Sequence, residues 1–178
     1  MSKRQIVILQ RDCSATMVPQ GAQILLQKGT EVTITQELGD SFTVNVYGNL
    51  ARIEGKDAEA LGKEAKNLLD ELPLNATIDQ KINTQLKSCY DPEIPVNIVD
   101  LGLVYGTKIE KQPDDQYHVF ITMTLTAPGC GMGPHIAADV KAKLLKIPEV
   151  KEAEVELVFD PPWNRERMSE AAQLELGM

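Results

Sequence analysis

The stretch from residue 117 to residue 159 sets the strongest limit on the fold, because its hydrophobic period changes twice. Alternate positions are apolar up to a glycine-rich loop, apolar residues then recur at helical spacing between Pro134 and Pro148, and alternation returns afterwards. The apolar positions are Tyr117, Val119, Ile121, Met123 and Leu125, then Ile136, Val140, Leu144 and Ile147, then Ala153, Val155, Leu157 and Phe159. This pattern predicts a strand, a helix and a strand joined as a right-handed βαβ unit.

A helix and a strand are predicted ahead of this unit. Residues 77–80 form a capping-box pattern and open a helix whose apolar stripe ends at Cys89, which we therefore place in the core. A strand follows in which the residues sharing one face are Val99, Leu101, Leu103, Tyr105 and Ile109. We predict a two-layer α/β domain over residues 76–178, with the order helix, strand, strand, helix, strand.

The N-terminal part has mostly the period of strands. From residue 30 the alternation predicts a hairpin around Gly39 and Asp40, with a third strand at 50–53 and further short strands at 5–9 and 22–27. Helical spacing then runs from Ala58 to Leu72, and Pro73 stops it. The fold class is therefore α+β, with a small β-rich domain at 1–72 that ends in a helix, a boundary at 73–75, and the α/β domain after it.

Charge and cysteine content narrow the partners and the compartment. The formal net charge is -8, with 18 basic and 26 acidic residues and no basic cluster, which argues against nucleic acid and anionic membranes as partners. Cys13, Cys89 and Cys130 form no C-x-x-C pair, so neither a disulfide framework nor a four-thiolate metal site in one chain is expected. No apolar run is long enough for a signal peptide or a membrane span, and we expect a protein of the reducing cytoplasm.

The loop at 126–134 is the place where we expect chemistry. It joins the end of a strand to the start of a helix, and Cys130 lies among glycines, where the positive end of the helix dipole favours a thiolate that reacts or binds metal. The alternative is that glycine and proline only shape a tight turn, and the pattern by itself leaves both open. A thiol enzyme needs a histidine base near its cysteine, and this chain has only two histidines. His118 is predicted on the strand surface, and His135 in the exposed first turn of the helix.

Other chemistry-bearing residues have plain structural readings. Cys13 follows a short strand, and we expect a small half-buried residue there, with metal ligation as the alternative. Asp91, Glu93 and Asp100 lie beside prolines or turns, where carboxylates are usually solvated. Trp163 follows two prolines and is expected to pack over the sheet edge rather than anchor a partner.

Three ordered segments carry a resemblance to a known family. DPEIPVNIVDLGLVY at 91–105, TMTLTAPGC at 122–130 and DPPW at 160–163 strongly resemble the metal-sulfur cluster biosynthetic domain family, which includes PaaD-like and cytosolic iron-sulfur targeting factors. RDC at 11–13, KGTEVTITQ at 28–36 and GNLARI at 48–53 resemble an additional region of the bacterial SufT branch of that family.

The resemblance implies an accessory factor in iron-sulfur protein maturation, a cluster carrier or targeting factor rather than an enzyme. It makes Cys130 the functional cysteine, a transient ligand of iron or of a cluster, with Asp91, Glu93, Thr126 and Gly129 in support. Many relatives have proline after this cysteine, whereas Gly131 follows here. The implied partners are iron-sulfur assembly proteins and client apoproteins, and a homodimer is one way to complete the site. A metal-free adaptor and a cysteine-dependent thiol-transfer enzyme are the alternatives.

Overall fold

The computed structural model describes residues 4–18, 20–65, 67–91, 94–128 and 131–177. The chain divides into two compact units, Met1–Leu68 and Leu69–Met178. The sequence placed the boundary at 73–75, a few residues later. Each unit has a hydrophobic core of its own.

The first unit is a six-stranded antiparallel sheet. Its strands are β1 (Gln5–Ile8), β2 (Cys13–Val18), β3 (Gln23–Leu26), β4 (Glu31–Leu38), β5 (Ser41–Val46) and β6 (Asn49–Ile53). They lie in the order β1-β4-β5-β6-β2-β3. The hairpin between β4 and β5 turns at Gly39, whose φ of 61° is the positive value that the first loop position of a type II′ turn requires. The predicted hairpin and third strand are confirmed.

One strand of the first unit was not predicted and one prediction is wrong. The segment from Cys13, which the sequence analysis placed only after a short strand, is itself the strand β2 in the interior of the sheet. The single helix predicted from Ala58 to Leu72 is replaced by two short 3-10 helices, Gly55–Leu61 and Leu68–Glu71. Gly62 explains the break, because its φ of 70° is left-handed and its N–H caps the preceding turn.

The second unit has the predicted order of elements. Its helices and strands are α1 (Ile78–Leu86), β7 (Val104–Lys111), β8 (Tyr117–Met123), α2 (Gly133–Leu145), β9 (Val150–Leu157) and α3 (Glu170–Glu175), with a 3-10 helix at Arg165–Arg167 before α3. β7 is antiparallel to β8, and β9 is parallel to β8, so β8, α2 and β9 form the βαβ unit. The mixed α+β class is confirmed.

The first strand of this unit begins later than predicted. Residues 97–102 form a turn, and β7 starts at Val104. Asn97 Oδ1 accepts hydrogen bonds from the N–H groups of Val99 and Asp100, a side-chain turn that competes with a strand. Gly102 completes it with a φ of 74°, and a Cβ there would lie 2.2 Å from the Arg167 carbonyl oxygen. Apolar alternation could not reveal this turn, because Leu101 and Leu103 are buried in it as they would be in a strand.

The two faces of the three-stranded sheet have opposite character. The inner face carries Val119, Ile121 and Met123, which pack with α1 and α2 residues in one core. Cys89 belongs to this core, as predicted. Trp163 packs against it and donates from Nε1 to the Leu101 carbonyl at 2.6 Å, which confirms the packing role.

Among the helices within the described ranges, none is long and apolar enough to cross a membrane.

Candidate functional site

The loop after β8 is held at both of its described ends. Leu125, before it, and Met132, after it, are both buried in the core of the second unit. Gly133 follows at the start of α2, where a Cβ would come within 2.8 Å of Leu125 Cδ1, so the helix start packs directly against the end of the strand. Gly129 and Cys130 lie outside the described residues. Close packing thus explains why Gly133 has no side chain. Leu125 and Met132 anchor the two described ends of the loop in the core.

Asp91 and Thr126 are brought together, as residues of one site would be. Thr126 Oγ1 donates to Asp91 Oδ2 at 3.3 Å, and the Ile94 N–H donates to Asp91 Oδ1 at 3.0 Å. The carboxylate is 5% exposed, although a solvated position was expected from the prolines around it. Glu93, predicted beside it, lies outside the described residues. Asp91 therefore links the 91–96 segment to the first residue of the loop.

A buried polar network that the sequence analysis missed lies just ahead of Asp91 in the chain. Lys143 of α2 donates from Nζ to the Ser88 carbonyl at 2.6 Å, and its own carbonyl accepts from Gln85 Nε2 at 2.8 Å. Asp139 Oδ2 lies 3.8 Å from the same ammonium, and both side chains are nearly fully buried. These bonds fix the end of α1 to α2, three residues ahead of Asp91.

A signal for this network was present in the sequence. Asp139 and Lys143 are four residues apart and lie beside the apolar stripe of the predicted helix, where a charged pair is unusual unless it is bonded. Burial raises the pKa of the nearby Tyr90 phenol, the negative charges of Glu175 and Asp100 add to the rise, and the Lys143 ammonium opposes it.

The two histidines differ in surroundings. His118 lies on the outer face of β8, as predicted, with Nδ1 3.4 Å from Glu152 Oε2 and Nε2 3.6 Å from Glu154 Oε2. His135, expected to be exposed, is half-buried, and within the described ranges the buried Nε2 of each histidine has no hydrogen-bond partner.

Cys13 is a poor candidate for a thiolate. Its side chain is 2% exposed in the core of the first unit. Burial raises the pKa of this thiol, Asp57 adds to the rise, and Arg11 opposes it. Both Cys13 and Cys89 are free thiols. Ligation by Cys13 stays a prediction that its surroundings disfavour. In the part of the chain that is described, which leaves out Glu93 and Cys130, no three His, Cys, Asp or Glu side chains are grouped to hold a metal.

Comparisons with known proteins fit this architecture. The second unit belongs to the class of small α/β domains in which a glycine-rich loop joins a strand to the helix of a βαβ unit. Residues 79–157 match the family model described as iron-sulfur cluster assembly protein. A relative from Porphyromonas gingivalis, named Fe-S protein maturation auxiliary factor, is 43% identical over 56% of this chain and 90% of its own length. The chain belongs to this family.

Further matches cover about half of the chain as well. The Fe-S protein maturation auxiliary factor SufT of Staphylococcus aureus is 44% identical over 49% of this chain and 96% of its own length. A crystal structure of a domain of unknown function, DUF59, from Bacillus anthracis matches 57% of this chain and 92% of its own, with 42% identity and a TM-score of 0.49. Since these relatives are almost fully covered by about half of this chain, the SufT-like character of the N-terminal region stays a prediction.

Proposed function

We propose that this protein is an accessory factor in the maturation of iron-sulfur proteins, and that the Cys130 thiolate holds iron or a cluster transiently as cargo. Membership of the iron-sulfur cluster assembly family supports the process. The relatives named Fe-S protein maturation auxiliary factors support the auxiliary role.

The observation that carries the proposal is how the loop containing Cys130 is held. The Asp91–Thr126 hydrogen bond holds the first residue of the loop, and Met132, the residue just before α2, is buried in the core. A loop tied at both ends loses less entropy when it binds cargo than a free loop would. We assign Asp91 and Thr126 a positioning role on this ground, with Glu93 and Gly129 expected beside them.

The chemistry of a single thiolate favours a carrier over a permanent holder. Cys130 precedes the thirteen-residue helix α2 by three positions, where the positive end of the helix dipole favours the ionised thiol. Thiolate is the ligand that iron-sulfur clusters prefer, and a site with fewer protein ligands than a cluster needs releases it easily. The remaining ligands then come from a second copy or from a partner's thiols. We propose that the protein turns over no substrate.

Anaerobic reconstitution with ferrous iron and sulfide tests the ligand role. Visible absorption and iron counting are expected to show cargo on the unaltered chain and on Cys13→Ala, and to show a loss of at least ten-fold in Cys130→Ala. Cys13→Ala is the matched control, since it removes a thiol that is buried in the other unit. Absence of cargo from the unaltered chain, or equal cargo in Cys130→Ala, would contradict the proposal.

Two further measurements separate the alternatives. A metal-free adaptor retains full binding to client apoproteins in Cys130→Ala, whereas a cargo carrier loses client activation in that variant. A thiol-transfer enzyme forms a covalent adduct at Cys130, visible in the intact mass after incubation with an acyl or persulfide donor. We expect no such adduct.

A further inference from the structure

The outer face of the three-stranded sheet is acidic around a pair of stacked rings. We call its residues the acidic face. Strand register places them in three rows across β7, β8 and β9: Gly106, Thr122 and Glu156; Lys108, Phe120 and Glu154; Glu110, His118 and Glu152. Four glutamates and one lysine leave this face three negative charges in excess. Glu152 and Glu154 are 62% and 63% exposed, so the face is open to a partner.

Two stacked aromatic rings lie at the centre of this face. His118 and Phe120 stack with centroids 4.1 Å apart and an interplanar angle of 25°. The Lys108 ammonium pairs with Glu110 Oε1 at 2.9 Å and lies 5.6 Å from the centroid of Phe120, so the chain itself already places a cation over this ring. Phe120, Thr122, Glu154 and Glu156 also line a depression of about 400 Å³, together with Ile121, Val155 and Lys141.

We propose that the acidic face is a docking surface for an arginine-bearing segment of a partner protein. A guanidinium can stack on the aromatic pair while the glutamates of β9 accept its N–H groups, a combination that an ammonium cannot match. A second copy of this chain would bring an equal excess of negative charge to the face and be repelled. The proposal goes beyond the cargo role of Cys130 and does not depend on it.

A defined peptide tests this on the full chain. The probe is a capped hexapeptide of alternating arginine and glycine, titrated into the ¹⁵N-labelled protein at low salt, with the lysine-glycine peptide of equal charge as comparison. We expect shifted amide signals to cluster in β7, β8 and β9, and the arginine peptide to bind several times more tightly than the lysine peptide. Shifts spread over the whole surface, or centred elsewhere, would overturn the proposal.

Matched variants separate this face from the general negative charge. The triple variant Glu152→Gln, Glu154→Gln, Glu156→Gln is expected to weaken arginine-peptide binding at least ten-fold. The control triple variant Glu59→Gln, Glu64→Gln, Glu71→Gln changes the net charge equally at exposed positions and is expected to weaken it less than two-fold. Equal losses in the two variants would show that only net charge matters and would reject the site.

Two single variants complete the test. Phe120→Leu keeps an apolar residue and removes the aromatic ring, so it should abolish the preference for arginine over lysine. An unchanged preference would rule out stacking. Cys130→Ala should bind the peptide as the unaltered chain does, which keeps this result independent of the reconstitution experiment. The mapping on the unaltered protein decides the matter even if a variant were to fold poorly.

Discussion

The two units differ in the polar groups that they bury. Among the described residues, the first unit buries the polar side chains Thr16, Ser41 and Arg52, which all lie on strands of its sheet. The second unit buries Gln85, Ser88, Asp91, Thr124, Asp139 and Lys143. Gln85 and Ser88, at the end of α1, bond to Lys143 in the last turn of α2. Asp91 bonds to Thr126, the residue that opens the cysteine loop.

This difference bears on the site that we propose in the second unit. A buried polar group costs free energy unless it is bonded, and an apolar pair of similar size often stabilises as well or better. Hydrogen-bonded polar groups therefore mark positions where geometry matters more than stability. In the second unit they include the bond between Asp91 and Thr126, the residue that opens the loop with Cys130.

The largest effect should come from the buried cation of this network. Lys143→Ala removes the ammonium that lies 3.8 Å from buried Asp139 and the donor to the Ser88 carbonyl, and we expect a loss of about 3–5 kcal/mol in unfolding free energy. Lys141→Ala, an exposed lysine on the same helix, should change it by less than about 0.5 kcal/mol. Urea unfolding measures both. A loss below about 1 kcal/mol for Lys143→Ala would break the contrast between the units.

A turn glycine from each unit gives the next comparison. Gly102 and Gly48 both have positive φ, but a Cβ at Gly102 would lie 2.2 Å from the Arg167 carbonyl oxygen, whereas a Cβ at Gly48 meets nothing within 4 Å. Gly102→Ala therefore combines backbone strain with a clash and should cost about 3 kcal/mol, and Gly48→Ala about 1 kcal/mol. Thermal unfolding should rank them in this order. Equal losses of stability in the two variants would mean that the backbone of the 97–102 turn can shift to accommodate the added Cβ.

The sequence predicted the second unit better than the first, for identifiable reasons. β8, α2 and β9 have clean apolar periods and proline stops, so their order and faces could be read directly. The Ala58–Leu72 segment has helical spacing too, but the left-handed Gly62 interrupts it, and one glycine in a periodic run is a weak signal. β2 was missed although Cys13, Ala15 and Met17 alternate with the polar Ser14 and Thr16, because small residues make such an alternation a weak hydrophobic signal.

The site was predictable only as a set of motifs. The resemblance named Asp91 and Thr126 together, and they are hydrogen-bonded across 35 positions of sequence. Nothing in the local pattern required that contact, because it is a tertiary contact between residues far apart in the sequence. The charged pair Asp139 and Lys143 was visible in the sequence beside the apolar stripe of the helix, but its bond to the Ser88 carbonyl was not, because that bond joins residues 55 positions apart.

The Asp91–Thr126 contact predicts a smaller effect. Thr126→Val keeps the side-chain shape and removes the hydroxyl that donates to Asp91 Oδ2, so it should cost about 1 kcal/mol in unfolding free energy. It should also lower the iron retained after reconstitution. Thr126→Ser, which keeps the hydroxyl, should retain most of both. If Thr126→Val kept full cargo, the positioning role assigned to this bond would be wrong.

The smallest effect should be a pH dependence in the first unit. Burial raises the pKa of Cys13 above its ordinary value of 9.0, so the folded chain keeps the proton in a pH range where the unfolded chain loses it. This contribution to stability is complete below pH 9.0 and is lost as the pH rises through the folded-state pKa. Cys13→Ala should remove this loss, so that its unfolding free energy falls less steeply above pH 9.0 than that of the unaltered chain. Parallel urea titrations at several alkaline pH values measure the difference. Identical slopes, or rapid alkylation of Cys13 by iodoacetamide in the folded protein at neutral pH, would show that this thiol ionises readily and would return it to the candidate ligands.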